Sequence, residues 1–239
     1  MCGYNWSGCK ALDTLLSRGH EVFVFTHENP WHVPSVITTC QKLKTPYSTE
    51  NISKAKLPFT PDVICSIYYR YIIKKHIINC CNGRIFNLHP ALLPKYRGCS
   101  SLTWAMINGE TEAGFTFHYI DEGCDTGPIL LQKSIKIEEW DTQQSLYMRL
   151  MFDSMGYFQE VFDMVLAGAS GISQTGNTTY YPRECPYNGE IDPTWNVEKI
   201  ERFIRAMNYP PYPVARLGGR DIHSMEEYLQ LSSENKATV

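Results

Sequence analysis

A chain of 239 residues, 43% hydrophobic and 20% charged, has room for one large domain whose core needs neither disulfides nor metals. Its net charge of −3 gives no global attraction to nucleic acid or anionic lipid, and no apolar run approaches the ~20 residues that cross a bilayer. Nine cysteines, odd in number and never spaced as C-x-x-C, read as reduced thiols of a cytoplasmic protein rather than a disulfide framework or a metal site.

The opening residues, Met1 to Asn5, carry no basic-then-apolar export signal. Only Met1 and Cys2 precede the Gly3-Tyr4-Asn5-Trp6 turn, so either the first strand is vestigial or the chain begins short of it. Residues 8–18 place Cys9, Leu12, Leu15 and Leu16 on one helical stripe, with Gly19 as the stop. Strands are expected at Glu21–Thr26, Asp62–Ile67, Arg84–Leu88 and Phe115–Ile120, all short and rich in Val, Ile and Phe. Helices are expected at 71–80, at Ser100–Asn108, and in one long run from Asp141-Thr142 through Leu166, closed by Gly168.

Beyond 168 the composition shifts. Ala169–Thr179 reads as a connector or hairpin, and Tyr180–Val239 is aromatic, with one helix capped by Asn196 and an expected frayed end over the last eight residues. The reading is an α/β fold, a Rossmann-like, doubly wound and mostly parallel sheet over residues 1–168. A small C-terminal subdomain of hairpin and helix follows over 169–239.

Two segments carry the chemistry. The first runs Asn87-Leu88-His89-Pro90-Ala91-Leu92-Leu93-Pro94-Lys95-Tyr96-Arg97-Gly98. The second is Gly114-Phe115-Thr116-Phe117-His118-Tyr119-Ile120-Asp121-Glu122-Gly123-Cys124-Asp125-Thr126-Gly127. Asn87 and His89, one residue apart at a strand end, point to the same side. Pro90 and Pro94 stop the strand, and the acid- and Gly-rich 121–127 loop lets backbone approach a ligand closely. An amide, an imidazole and a carboxylate brought together suit acyl transfer to an amine. The amide N–H supports a developing oxyanion, the ring takes the amine proton, and the carboxylate orients the ring. Singly, each residue is as well explained by packing, a turn or a loop cap. His118, alternating with Phe115 and Phe117, admits a structural role.

Residues 84–129 closely resemble the N10-formyltetrahydrofolate-dependent formyltransferases, with Ala91 standing where that family often has Ser. The resemblance implies a formyl group donated by N10-formyltetrahydrofolate, no metal, and Asn87, His89 and Asp125 as the catalytic trio. It also implies a pterin pocket at Ile67, Tyr69, Ile72, Asp121, Gly123 and Cys124.

The branches of that family differ outside the trio. The methionyl-tRNA branch adds a basic barrel, whereas residues 180–239 here hold seven Lys/Arg against nine Asp/Glu. The glycinamide ribonucleotide branch has a Gly-rich phosphate loop where this chain reads Gly3-Tyr4-Asn5-Trp6. The hydrolase branch carries an N-terminal regulatory domain, which is not expected here. The pattern Tyr180-Tyr181-Pro182-Arg183, Gly189-Glu190-Ile191-Asp192, Trp195 and Pro210-Pro211-Tyr212 looks like the nucleotide-sugar N-formyltransferases. That likeness implies a homodimer acting on an amino sugar carried by dTDP, less often UDP. The sugar expected is dTDP-4-amino-4,6-dideoxyglucose, destined for surface polysaccharide, with no nucleic-acid or membrane partner. Asn5, Trp6, Lys75, Tyr96, Arg97, Tyr181, Arg183 and Trp195 are the expected substrate contacts. The aromatic members admit a dimer interface or a satellite core instead, and Arg97 a salt bridge.

Overall fold

A computed structural model of the chain describes residues 1–237. The first half runs β1 (Cys2–Gly3), α1 (Asn5–Ser17), β2 (Val24–Phe25), α2 (Val36–Leu43), β3 (Tyr47–Ser48), β4 (Ile64–Ile67), α3 (Lys75–Cys80) and β5 (Ile85–His89). It continues with β6 (Arg97–Gly98), α4 (Ser101–Ile107), β7 (Glu112–Tyr119), β8 (Ile129–Lys136), α5 (Gln143–Gly156) and α6 (Phe158–Leu166). The remainder is β9 (Tyr180–Tyr181), a 3₁₀ turn at Pro186–Gly189, α7 (Val197–Ala206), the hairpin β10 (Ala215–Leu217) and β11 (Arg220–Ile222), and α8 (Met225–Ala237).

Seven strands form one sheet in the order β3-β2-β1-β4-β5-β7-β8. The first five are parallel, whereas β7 and β8 run antiparallel to their neighbours. The sheet is therefore α/β and mostly parallel, as expected. β1 is indeed only two residues long, yet it sits between β2 and β4, pairing Cys2 with Phe25 and Ser66. Met1 N donates to the Phe23 carbonyl at 2.6 Å.

Alternation along each strand divides the core. Cys65, Ile67, Phe86 and Leu88 face the larger cluster with α1, α5 and α6, while Ile64 and Ile85 face the smaller one beneath α3. Ile191, Ile200, Phe203, Ala215 and Tyr228 belong to the same large cluster as Leu12 and Phe86. The two stretches of chain expected to part at residue 168 thus share one core.

Several elements differ from the sequence reading. The long helix 141–166 breaks at Tyr157, where Gly156 weakens the helix and the Tyr157 N–H bonds Ser154 rather than continuing the ladder. The break turns Phe158, Val161 and Val165 into the core. Thr142 and Ser145 form a reciprocal capping box at its start, and Asn196 caps α7 through the Lys199 N–H, as expected. The hairpin lies at 215–222, whereas Ala169–Thr179 makes a single bridge, Ile172 to Ile129. The end expected to fray is helical as far as 237, and 238–239 lie outside the described residues. The edge strand β8 escaped the reading because its outer half is polar and exposed. Among the described residues no helix is long and apolar enough to cross a membrane.

Phe86 is fully buried, its ring centroid 6.1 Å from both Phe117 and Phe158. Phe86→Ala should cost ~3–5 kcal/mol of unfolding free energy in urea titration. A loss of ~0.5 kcal/mol, a surface value, would contradict this packing.

Candidate active site

Ile85 faces the smaller cluster, so the two-residue period puts Asn87 and His89 on that same face. Antiparallel register sets His118 of β7 directly opposite Asn87. Because β7 runs against β5, the loop Asp121–Gly127 leaves at the far end and turns back over this face. The cavity beside it is walled by Tyr4-Asn5, His27-Glu28, Tyr68–Arg70 and His89-Pro90, which end or follow β1, β2, β4 and β5, so convergence is at the carboxyl edge of the parallel strands. Two close approaches make the return possible. A Cβ at Gly127 would overlap the Tyr119 carbonyl, and one at Gly98 would overlap that of Tyr181.

The Asp125 carboxylate lies between two imidazoles, Oδ2 3.5 Å from His89 Nδ1 and Oδ1 3.5 Å from His118 Nε2. The Gly98 N–H donates to Oδ2 at 2.9 Å. His89 and His118 are 4% and 2% exposed, which removes water as an alternative partner. Each ring is anchored by a main-chain carbonyl, Tyr96 O at 2.8 Å from His89 Nε2 and Tyr119 O at 2.7 Å from His118 Nδ1. A carbonyl only accepts, so those nitrogens carry hydrogen. The nitrogen each ring turns toward Asp125 is then the basic one. Each ring thus shares a vacant proton position with one oxygen of Asp125, and Asn87 Nδ2 lies 3.3 Å from His118 Nε2. Asp125 and Tyr96 both hold positive φ, 54° and 59°, strain of the kind stored at functional sites.

The electrostatics follow from this geometry. Burial alone would raise the Asp125 pKa, but the facing His118 and His89 rings in their protonated form and the Gly98 N–H together hold it well below the usual carboxylate range. Burial pushes the His89 pKa below that of an ordinary histidine, against the opposing pull of Asp125 and the Tyr96 carbonyl. A proton entering the cluster therefore rests on the ring side. Such a centre can accept a proton from an attacking amine while the Asn87 amide donates to an oxygen gaining charge.

Two cavities share this wall, and a third adjoins the second at Tyr4, Asn5, Tyr147 and Tyr212. One of about 520 Å³ is lined by Ser66, Tyr69, Ile72, Asn87, His118 and the 120–125 loop. A second, about 710 Å³, contains His27, Asn87, His89, Asp125 and Arg183. A third, about 810 Å³, is aromatic, with Trp6, Tyr147, Phe152, Tyr209 and Tyr212.

The structure brings Asn87, His89 and Asp125 together, and Tyr69, Ile72, Asp121, Gly123 and Cys124 line the first cavity. Ile67 does not: alternation buries it completely in the larger cluster, its carbonyl taken by the Tyr4 N–H, and Ser66 lines the wall instead. Asn5, Trp6 and Arg183 lie on cavity walls, with Asn5 Nδ2 donating to Tyr147 Oη at 2.7 Å.

The other expected contacts are committed elsewhere. Lys75 pairs with Glu122 at 2.6 Å, both exposed. Tyr96 donates its hydroxyl to Glu110, and Tyr181 is stacked on Trp104 and Tyr96. Trp195 packs against Tyr187 and Phe203 with Lys199 over its ring, at the edge of the large cluster. Arg97 bonds Gln174. Sequence reasoning missed Arg70, which lines two cavities, and left His118 unassigned. The shared alternation of Thr116 and His118 was the available signal.

The doubly wound sheet thus holds an amide, two imidazoles and a carboxylate in a set that can serve acyl transfer. The formyl transferase family model matches residues 7–161. GDP-perosamine N-formyltransferase of Brucella melitensis biotype 1 is 46% identical over 225 residues, covering 91% of this chain and 87% of that protein. Among solved structures, the sugar 3N-formyl transferase WlaRD, seen with dTDP and 5-N-formyl-THF, superposes with TM-score 0.81 at 24% identity, covering 93% of this chain and 83% of that one. The Helicobacter canadensis N-formyltransferase, seen with folinic acid and dTDP-3-aminofucose, gives 0.82 at 22%, covering 93% and 84%. These two likenesses concern the fold. The chain belongs to the formyl transferase family, within its nucleotide-sugar N-formyltransferases.

If His89 accepts the proton, kcat/KM should keep its acid limb below the ordinary histidine value of ~6.5, because the ring must be neutral to act. Asp125→Asn removes the attraction that raises the ring's pKa, so the limb should move lower still. A limb above that value in the unmodified enzyme would contradict the assignment.

Proposed function

We propose that this enzyme transfers a formyl group from N10-formyltetrahydrofolate to the amine of a 4-amino-4,6-dideoxy sugar carried on GDP. The observation that carries the reading is the pair of proton vacancies that His89 and His118 share with Asp125 beside the Asn87 amide, at the meeting of two cavities. Folate fits the first cavity, where Ile72 and Ile73 offer an aliphatic roof and the 121–124 backbone a polar wall. Bound there, it supplies the formyl group. Asn87 Nδ2 donates to the formyl oxygen as charge develops on it. His89 Nδ1 receives the proton released by the sugar amine as the new C–N bond forms, Asp125 stabilises the imidazolium, and that proton passes to the donor nitrogen as its bond to the formyl carbon breaks.

The nucleotide sugar fits the second and third cavities. Arg70 and Arg183 flank the second, and among the described residues neither pairs with a carboxylate, which suits a diphosphate. The aromatic third cavity suits a nucleobase, a role the sequence reading gave to Tyr181 and Trp195. GDP replaces the expected dTDP as the preferred carrier because of the relative at 46% identity.

With the folate donor, the purified enzyme should formylate GDP-perosamine with a kcat/KM at least ~10-fold above that for dTDP-4-amino-4,6-dideoxyglucose. The reverse order would restore dTDP, and no formylation of either would overturn the reading. Asn87→Ala should lower kcat by ~10²–10³-fold.

A further inference from the structure

The loop that carries Asp125 is exposed from Asp121 through Cys124, yet it must hold one carboxylate between two buried rings. Its internal bonds, Asp121 Oδ1 to the Gly123 N–H and the Thr126 hydroxyl, brace only the outer turn. The inner turn is held from outside. Gln174 Nε2 donates at 2.8 Å to the Asp125 carbonyl and at 2.8 Å to that of Gly127, which uses both of its hydrogens. Its Oε1 accepts from Arg97 Nε at 3.2 Å and Nη2 at 2.7 Å, a fork that leaves the amide one orientation. The paired Ile129–Ile172 bridge brings residue 174 to the loop, with main-chain bonds of 2.7 and 2.8 Å.

Arg97 has no carboxylate partner among the described residues, so its guanidinium serves Gln174 rather than a salt bridge. The next residue, Gly98, donates its N–H to the Asp125 carboxylate. Strand β6 therefore grips Asp125 twice, once at the side chain and once, through Gln174, at the main chain.

We propose that Gln174, oriented by Arg97, is a positioning residue that sets Asp125 between His89 and His118. The proposal rests on the formyl-transfer reading of this site. Gln174 touches neither His89 nor the Asp125 carboxylate, so its effect passes through the Asp125 backbone. A shift of ~1 Å in a catalytic group costs up to ~10²-fold in rate. The loss should fall on kcat, since Gln174 lines none of the three cavities.

The test compares Gln174→Leu, Asp125→Asn and the double variant in single-turnover and steady-state assays, each checked for folding by thermal melting. Gln174→Leu should lower kcat by ~10–10²-fold with both KM values within ~3-fold. In the Asp125→Asn background the same change should have no further effect, since its target is already gone. Arg97→Gln, which leaves Gln174 in place but unoriented, should give a smaller fall of the same kind and serves if Gln174→Leu does not fold. Unchanged kcat in a folded Gln174→Leu or Arg97→Gln enzyme overturns the proposal, as does a Gln174→Leu loss that multiplies with Asp125→Asn. Full turnover by Asp125→Asn alone would instead sink the site reading itself, and this proposal with it.

Discussion

A carboxylate held between two imidazoles, each ring tied at its far nitrogen to a main-chain carbonyl, is the constraint on which the rest of the molecule depends. Two basic ring nitrogens face the two oxygens of one carboxylate, so the three groups titrate together. Burial makes the arrangement demanding, because at a few per cent exposure no water relieves an unpaired charge. The Gly98 N–H, the left-handed backbone of Asp125 and the Gln174 clamp all serve to keep the acid group between the rings.

Sheet register explains how so few residues suffice. One alternation step separates Ile85 from Asn87 and Asn87 from His89, while antiparallel pairing sets His118 across from Asn87. Slipping β7 by one residue would send His118 into the phenylalanine core and bring Phe117 to the site. The fully buried Phe86, Phe115 and Phe117 fix that register by packing, so the core sets the chemistry as well as the stability.

Much of this was legible in the sequence. Strand–helix alternation pointed to the fold class, short-range spacing put Asn87 and His89 on one strand face, and the family resemblance of 84–129 implied Asp125 with them. What stayed hidden depended on long-range contacts. Nothing local distinguishes Lys75, which meets Glu122, from the unpaired Arg70 five residues earlier. Tyr181 and Trp195 advertised stacking surface, yet Trp104, Tyr96 and Phe203 take it up internally. Tyr147 and Phe152, which do line a cavity, sit on a helix to which the sequence reading gave no site role. Gln174 lies in a connector with no pattern at all, and only its partners reveal it.

The most direct measurement is the tautomeric state of the two histidines, read by long-range ¹⁵N–¹H correlation. The geometry requires His89 to carry its hydrogen on Nε2 and His118 on Nδ1, leaving a bare nitrogen of each turned toward Asp125. The opposite tautomer in either ring would mean that its shared vacancy does not exist.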